Sequence, residues 1–453
     1  RIKNYIPLKS LDPVVKVSSF QEVALASKHY VLANAISSKP AEAVVLEDLV
    51  LAAFSSGRRN FLLVDLGTST IAYQVVDSRG SLISDGALVN PLHKYGADVI
   101  TVATKAVREP HLYERMREEL NNAVASLMNE QEAGVAVIAG NSVMESVFMG
   151  LQLSQLVAKP FQPLARGPFI YLIPGANYPS VLLPLLAGFV GGDSFANLLA
   201  AEYLGLPKPY LIIDLGTNTE VLLATEDGYY VGSTPAGPAF EGHVASGTSF
   251  AVGGIEEVRV SGFKEDGAPI FTYVGEPVGL LGSGIISLVA ELVRYGLVSR
   301  SGRMIRGYKV VGGLKAFVIA SEAERGSVVF TSRDLREFQK AMAAVRAGWR
   351  LILDAGGVDL TDLRYVVVCG TFGSKIAPED AALLEIIPPV DLSRIIVAGN
   401  LVLSGLRVYV FDKYSHELAE GILSNLTHVS LVGTEKFTNL WIKSLEFSRA
   451  PEP

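Results

Sequence analysis

A short motif that combines an aspartate, a glycine and two threonines occurs twice in the chain, each time after an apolar run. The first copy begins at Asp65 and reads Asp-Leu-Gly-Thr-Ser-Thr, and the second begins at Asp214 and reads Asp-Leu-Gly-Thr-Asn-Thr. The glycine lets the backbone approach a ligand closely, the backbone N–H groups and threonine hydroxyls can donate to phosphate, and the aspartate offers a hard oxygen to hydrated Mg²⁺. One copy alone is common in turns, but the duplication favours two loops that hold one polyphosphate from both sides.

Both motifs have the flanking pattern of a β-hairpin with a tight glycine-containing turn. Apolar runs at 61–64 and 210–213 precede the motifs, and β-rich runs at 71–76 and 221–224 follow them. The same unit repeated at a long interval predicts two similar domains, each of which opens with this hairpin.

Other patterns predict helices before and between the hairpins. A Ser-x-x-Glu capping box predicts a helix over 19–36, and a second apolar helical stretch follows Pro40. Asp193 is placed to cap a helix that stops at Gly205.

The carboxyl-terminal part contains the longest predicted helix and a glycine-rich loop. Apolar residues at alternating spacings of three and four predict one helix over 333–355 with an apolar face. Residues 365–368 have the pattern of a buried strand, which leads through Cys369 into a glycine-rich loop over 370–373. Because α/β folds place ligands at strand ends, this loop is a candidate binding element. Cys369 itself follows three valines and is expected to be a buried small hydrophobe.

Composition excludes several classes of protein. With 453 residues the chain is long enough for two or three domains, and its formal net charge of −7 disfavours a nucleic-acid surface. The single cysteine excludes an internal disulfide, a cysteine zinc site and an iron–sulfur cluster on this chain. The most apolar run, 181–192, is too short to span a membrane. No signal peptide pattern opens the chain, so a cytoplasmic location is expected.

The chain resembles the superfamily of acetate and sugar kinases, heat-shock chaperones and actin, and within it the ATP-dependent reductive activators of corrinoid proteins. The blocks that carry the resemblance keep the family order and are residues 65–68, 90–91, 95–100, 140–141, 186–193, 214–220, 236–242, 282–284, 334–337, 344–348, 370–373 and 399–400.

The resemblance implies an α/β fold in which duplicated actin-like ATPase domains surround a nucleotide cleft, preceded by a small α/β domain. The expected boundaries are 1–60 for the small domain, interpreted as a remnant of the family's middle domain, 61–209 for the first actin-like domain and 210–453 for the second.

The resemblance also implies a role for individual residues. ATP is expected to bind with Mg²⁺, held by Asp65 and Asp214, while Glu220 and Glu241 lie near the metal ion or the attacking water. The remaining residues expected to bind the nucleotide are Gly67, Thr68, Thr70, Gly216, Thr217, Asn218, Gly237, Pro238, Gly282, Ser283, Gly284, Gly370 and Gly373. Arg336 and Arg346 lie in matching blocks and are further candidates to meet the nucleotide, since phosphoryl transfer depends on positioning and charge neutralisation.

The implied partner is a corrinoid protein that the chain reactivates by reduction, and the implied assembly is a homodimer. Members of this branch usually carry an iron–sulfur domain ahead of the repeat. The electron is therefore expected to come from a missing ferredoxin-like domain or from a separate donor protein. The chain departs from the family pattern at Leu92, Leu281 and Thr371.

Two other functions use the same loops. One is a small-molecule kinase of the acetate and sugar kinase superfamily, and the other is a nucleotide-gated interaction protein without redox work. The fate of the γ-phosphate of ATP distinguishes all three.

Overall fold

The computed structural model describes residues 2–7, 42–46, 49–54, 60–96, 98–158, 161–163, 165–174, 179–248, 253–322, 326–370, 375–412 and 414–450. The chain divides into two compact units. The first unit comprises Arg1–Leu206 and Leu401–Leu426, and the second comprises Pro207–Asn400 and Thr427–Pro453. No helix within the described residues is long and apolar enough to cross a membrane.

The first unit is built on a mixed sheet of six strands in the order β6-β5-β4-β7-β9-β8. Its strands are β4 (Asn60–Leu66), β5 (Thr70–Val76), β6 (Leu82–Val89), β7 (Ala133–Gly140), β8 (Phe169–Leu172) and β9 (Pro179–Leu182). Strands β4, β7 and β9 are parallel to one another, and the predicted hairpin is the antiparallel pair of β4 and β5. The central strands are buried because they are apolar on both faces.

Helices cover this sheet on both sides. They are α1 (Val99–Arg108), α2 (Pro110–Glu130), α3 (Ser142–Met149), α4 (Gly192–Tyr203), α8 (Leu401–Phe411) and α9 (Ser415–Ser424). Leu62, Val64 and Leu66 pack with α1, α2 and α3 in one core. On the other face, the ring of Phe61 meets that of Phe411 edge to face at 5.4 Å. A segment from the carboxyl-terminal part of the chain thereby completes the first unit.

A separate antiparallel sheet precedes the six-stranded one. It consists of β1 (Ile2–Pro7), β2 (Glu42–Leu46) and β3 (Leu49–Phe54). The prediction of a helical stretch after Pro40 is therefore wrong, because the valine- and leucine-rich runs there form strands, which β-branched residues favour. The helix predicted over 19–36 lies outside the described residues.

The second unit repeats the plan with a six-stranded sheet in the order β19-β18-β10-β11-β12-β20. Its strands are β10 (Tyr210–Asp214), β11 (Asn218–Thr225), β12 (Gly228–Pro235), β18 (Tyr365–Cys369), β19 (Ile395–Val397) and β20 (Leu426–His428). Strands β10 and β11 form the second predicted hairpin, and β18 lies parallel to β10. Smaller sheets of this unit contain β13 (Ile255–Phe263), β14 (Pro269–Gly275), β15 (Lys309–Val311), β16 (Leu314–Glu322) and β17 (Gly326–Thr331).

The helices of the second unit are α5 (Gly282–Arg294), α6 (Ser332–Ala355), α7 (Pro378–Leu383) and α10 (Glu435–Ser444). Helix α6 confirms the longest predicted helix. It begins with a capping box between Thr331 and Asp334, and its apolar face, including Trp349, is buried in the core of this unit.

Two predictions about helix residues are corrected by the structure. Asp193 does not cap α4: the N-cap is Gly191, and the Asp193 carboxylate instead accepts the N–H of Ser194 at 2.6 Å. Arg346 is 1% exposed, and its guanidinium donates to the carbonyls of Leu384, Ser444 and Glu446. Its place is therefore structural, since it satisfies carbonyl oxygens that would otherwise be buried without a partner. Burial lowers the pKa of Arg346 to about 10, so the group stays charged at neutral pH.

We predict that Arg346→Met destabilises the second unit by about 2–4 kcal/mol, because the buried carbonyl oxygens lose their donors. The matched control on the same helix is Lys340→Met, which removes only an exposed pair with Glu337 and should cost no more than about 0.5 kcal/mol. Both tryptophans of the chain, Trp349 and Trp441, lie in this unit, so the unfolding midpoint in urea can be followed by tryptophan fluorescence. Equal losses of unfolding free energy in Arg346→Met and Lys340→Met would contradict the structural role of Arg346.

Candidate nucleotide-binding site

The turn between β4 and β5 is the first candidate phosphate loop. Asp65 is half-buried near the end of β4, and a Cβ atom on Gly67 would lie 2.6 Å from the carbonyl oxygen of Thr70. No side chain fits there, so the turn requires glycine. The backbone between them, at Thr68 and Ser69, is therefore presented at the strand end, where its groups can meet a ligand.

Two buried asparagines hold this loop. The side-chain amide of Asn90 donates to the Gly67 carbonyl at 2.7 Å, and the Asn141 amide lies 3.2 Å from the Thr68 hydroxyl oxygen. Asn141 also caps α3, because its side-chain oxygen accepts the N–H groups of Val143 and Met144. Sequence reasoning placed both asparagines in family blocks but missed their role, and the helix start after Asn141 was the available signal.

The turn between β10 and β11 is the second candidate phosphate loop. Asp214 ends β10 and pairs across the hairpin with Glu220, while a Cβ atom on Gly216 would lie 2.8 Å from the carbonyl oxygen of Asn218. The duplicated sequence thus produces the same steric requirement in both units. Thr219 adds a bond from its hydroxyl to the Gly216 carbonyl at 3.3 Å.

The support of the second loop is a carboxylate. Glu241 lies in a short 3-10 turn, Pro238–Glu241, and its Oε1 accepts the backbone N–H of Thr217 at 2.7 Å as well as the Thr217 hydroxyl. Gly237 donates its N–H to the Thr217 carbonyl at 2.8 Å. The structure therefore places Glu241 and Gly237 against the loop itself. Gly237 and Pro238 also line a cavity of about 450 Å³ bounded by α6 and α10.

Glu220 and Gly370, which begins the glycine-rich loop after β18, both lie beside Asp214 in the second unit. Glu220 is 7% exposed and accepts the hydroxyl of Ser233 on the neighbouring strand at 3.0 Å. Gly370 follows β18 with a φ of 104°, and a Cβ atom there would lie 2.8 Å from Oδ1 of Asp214. The parallel pairing of β10 with β18 thus brings Gly370 beside Asp214. Gly373 lies outside the described residues.

The predicted Gly-Ser-Gly turn begins α5. A Cβ atom on Gly282 would overlap the carbonyl of Phe240, and one on Gly284 would overlap that of Ile255. These two glycines therefore allow the start of α5 to pack closely against neighbouring backbone. Ser283, between them, is 5% exposed.

Cys369 is buried, as predicted, with its sulfur 3.9 Å from the Ile213 carbonyl oxygen.

The carboxylates beside the two turns are compatible with a magnesium ion that a nucleotide carries. Among the described residues, no group of three or more histidine, cysteine, aspartate or glutamate side chains could hold a metal ion. Magnesium carried by a nucleotide needs only one or two carboxylates, because water and phosphate supply its other ligands. Asp65 and Asp214 are suited to that role, and the glycine turns beside them leave backbone space that a side chain would fill.

The fold and these loops define the class of the protein as an actin-like ATPase of the ASKHA superfamily. The profile described as the C-terminal domain of RACo, the ASKHA domain, matches residues 208–452, and the profile of the RACo middle region matches residues 62–204. The chain belongs to the RACo family, which confirms the resemblance. The middle-region match begins at residue 62, so the interpretation of 1–60 as a remnant of that domain stays a prediction.

Individual relatives agree with the family. The chain is 28% identical over 422 residues to the corrinoid activation enzyme RamQ of Eubacterium limosum, covering 84% of this chain and 69% of RamQ. It is 27% identical to the [Co(II) methylated amine-specific corrinoid protein] reductase of Methanosarcina barkeri, covering 60% of this chain and 52% of the reductase. A solved structure titled reductive activator for corrinoid,iron-sulfur protein matches with a TM-score of 0.79 and 25% identity, covering 90% of this chain and 70% of that chain.

We predict that Gly216→Ala destabilises the second unit by about 1–3 kcal/mol, because the new Cβ atom forces the turn to shift. Gly262→Ala is the matched control: it lies in the same unit, and its Cβ atom would meet nothing within 4 Å. The control should leave the fluorescence-detected unfolding midpoint unchanged or slightly raised. An unchanged midpoint for Gly216→Ala would show that the turn has room for a side chain.

Proposed function

We propose that this protein hydrolyses ATP through the phosphate loops of its two units and uses the turnover to reactivate a corrinoid protein by reduction. The observation that carries the proposal is the duplicated glycine turn beside an aspartate, in a chain that matches the RACo family over both regions. The substrate class is taken from the names of relatives, whose alignments cover up to 84% of this chain.

The residues divide the work of hydrolysis. Each unit contributes one loop. Its aspartate, Asp65 in the first unit and Asp214 in the second, offers a carboxylate to the Mg²⁺ that accompanies ATP, and the loop backbone that begins at Gly67 or at Gly216 binds phosphate. Magnesium, when bound, neutralises the charge that develops on the phosphoryl oxygens. Glu220 and Glu241 orient the attacking water, and Glu241 also holds the second loop through Thr217. Gly370, with Gly373 and the start of α5 at 282–284, borders the nucleoside.

Coupling to reduction requires that ATP and the partner bind unequally to the conformations of the protein. A ligand shifts a conformational equilibrium only by its differential affinity for the states. About 1.4 kcal/mol corresponds to roughly 59 mV for one electron. A few kcal/mol of differential binding would therefore shift the reduction potential of the bound corrinoid enough to affect its reduction. The electron comes from a separate donor protein or a ferredoxin-like domain, and the protein acts as a cytoplasmic homodimer.

We predict that Asp214→Asn lowers the rate of ATP hydrolysis by at least about 100-fold, because the amide loses the negative charge that holds Mg²⁺. The fold should persist, since the side chains are nearly isosteric. Asp266→Asn is the control in the same unit: Asp266 is exposed in the β13–β14 turn and accepts only the N–H of Ala268, a contact that asparagine preserves. Turnover retained in Asp214→Asn with a normal unfolding midpoint would remove Asp214 from the site.

We also predict slow basal hydrolysis of ATP that a corrinoid protein stimulates several-fold. Phosphate release is measured with and without the partner, and reduction of the corrinoid is followed by its absorbance in the presence of a chemical reductant. The Asp214→Asn variant and the partner stripped of its corrinoid serve as controls.

The fate of labelled phosphate separates the alternatives in the same experiment. Phosphate released to water supports the proposal, and phosphate retained on a metabolite indicates a kinase. Tight ATP binding with no turnover in the presence of the corrinoid protein indicates a nucleotide-gated interaction protein.

A further inference from the structure

Glu145 is a fully buried acid in the first turn of α3, and none of the sequence patterns assigned it a role. Its side chain is 0% exposed. One carboxyl oxygen, Oε1, accepts the backbone N–H of Gly140 at 2.8 Å, and it also lies against Gly192, where a Cβ atom would be 2.4 Å from it. The other oxygen, Oε2, is buried with no hydrogen-bond partner among the described residues. No ion pair with Glu145 is present among the described residues, and burying an acid without a compensating cation costs free energy that an apolar side chain would not.

The carboxyl group joins two turns of the first unit. Gly140 ends β7, and Gly192 begins α4. Helix α4 has no side-chain cap, and the Glu145 carboxyl packs directly against the residue that begins it, Gly192. The backbones of the two turns are in direct contact, because a Cβ atom on Gly191 would overlap the Gly140 carbonyl.

The turn at Gly140 also contacts the first phosphate loop at two points, Leu66 and Thr68. A Cβ atom on Gly140 would lie 2.7 Å from the carbonyl oxygen of Leu66, the residue that enters the loop. The next residue, Asn141, directs its side-chain amide to the Thr68 hydroxyl oxygen at 3.2 Å. A displacement of Gly140 would therefore reach the loop through backbone contact and through Asn141.

The electrostatic environment favours the uncharged acid. Burial, together with the nearby negative charge of Asp193, raises the pKa of Glu145 well above its ordinary range. An uncharged carboxyl still offers the oxygen that the N–H of Gly140 requires. Glutamine has the same shape and keeps that oxygen, so it is the conservative substitute at this position.

We propose that Glu145 is a positioning residue of the first phosphate loop: its side chain locks the turns at Gly140 and Gly192 together and thereby holds Asn141 against Thr68. The inference deepens the proposed function and rests on it, because the position of this loop matters for turnover only where the loop binds phosphate.

The test compares Glu145→Ala and Glu145→Gln with Asn121→Ala. Asn121 is a matched control: it is 2% exposed in the same unit, and its amide donates to the carbonyls of Arg117 and Phe148, away from the loop. ATP affinity is measured by calorimetry, and amide hydrogen exchange is measured over residues 64–72. Exchange is read without nucleotide, so it reports the loop directly.

We expect Glu145→Ala to weaken ATP binding about tenfold and to speed exchange over residues 64–72, since Gly140 loses its acceptor and the contact that joins the two turns is removed. Glu145→Gln should stay within about threefold of the unchanged protein in affinity and should restore slow exchange. Asn121→Ala should lower the unfolding midpoint but change neither the affinity nor the exchange of the loop.

Two results would overturn the inference. One is a Glu145→Ala variant with unchanged exchange over residues 64–72, and the other is an Asn121→Ala variant that disturbs the loop equally, which would indicate general destabilisation. Failure of the unchanged protein to bind ATP would instead contradict the proposed function. In that case the exchange data alone still decide whether Glu145 holds the loop.

Discussion

The constraint on which both candidate loops depend is the absence of room for a side chain where each hairpin turns. At Gly67 a Cβ atom would lie 2.6 Å from the Thr70 carbonyl oxygen, and at Gly216 it would lie 2.8 Å from that of Asn218. The backbone of each turn therefore passes close to itself, and in the second turn the N–H of Thr217 is held by Glu241. The aspartate two residues earlier is then at the strand end, where it can meet a cation that the phosphate brings.

The two units satisfy this constraint with different supports. In the first unit neutral amides, those of Asn90 and Asn141, contact the loop. In the second unit the carboxylate of Glu241 accepts the N–H and the hydroxyl of Thr217. Each loop follows an aspartate, and Glu241 adds a second acidic side chain beside the loop of the second unit, whereas the supports of the first loop are neutral amides. The duplicated sequence therefore provides two glycine turns in different electrostatic surroundings.

Other buried polar side chains of the second unit hold elements of the fold together. Arg346 satisfies carbonyl oxygens of the α7 end and the carboxyl-terminal segment. In the same unit, Asp380 is held by Arg259 at 2.7 Å and Arg294 at 2.8 Å. These contacts hold peripheral elements against the core of the second unit. Removing one member of such a contact would leave the other buried without a partner, which is destabilising. A residue in a family block can therefore have a structural place, as Arg346 does.

The sequence by itself determined the two hairpins, the long helix α6, the buried strand that precedes Gly370 and the family. Each of these depends on local pattern: an apolar run, a glycine turn, a spacing of three and four, or an ordered set of motifs. Tertiary structure alone decided that residues after Pro40 form strands, that Gly191 rather than Asp193 caps α4, and that Arg346 is buried away from the loop residues. It also decided that Leu401–Leu426 completes the first unit and that Glu145 meets Gly140 and Gly192. The physical reason is that local sequence allows several conformations and contacts at these positions, and interactions with residues distant in sequence determine which one forms.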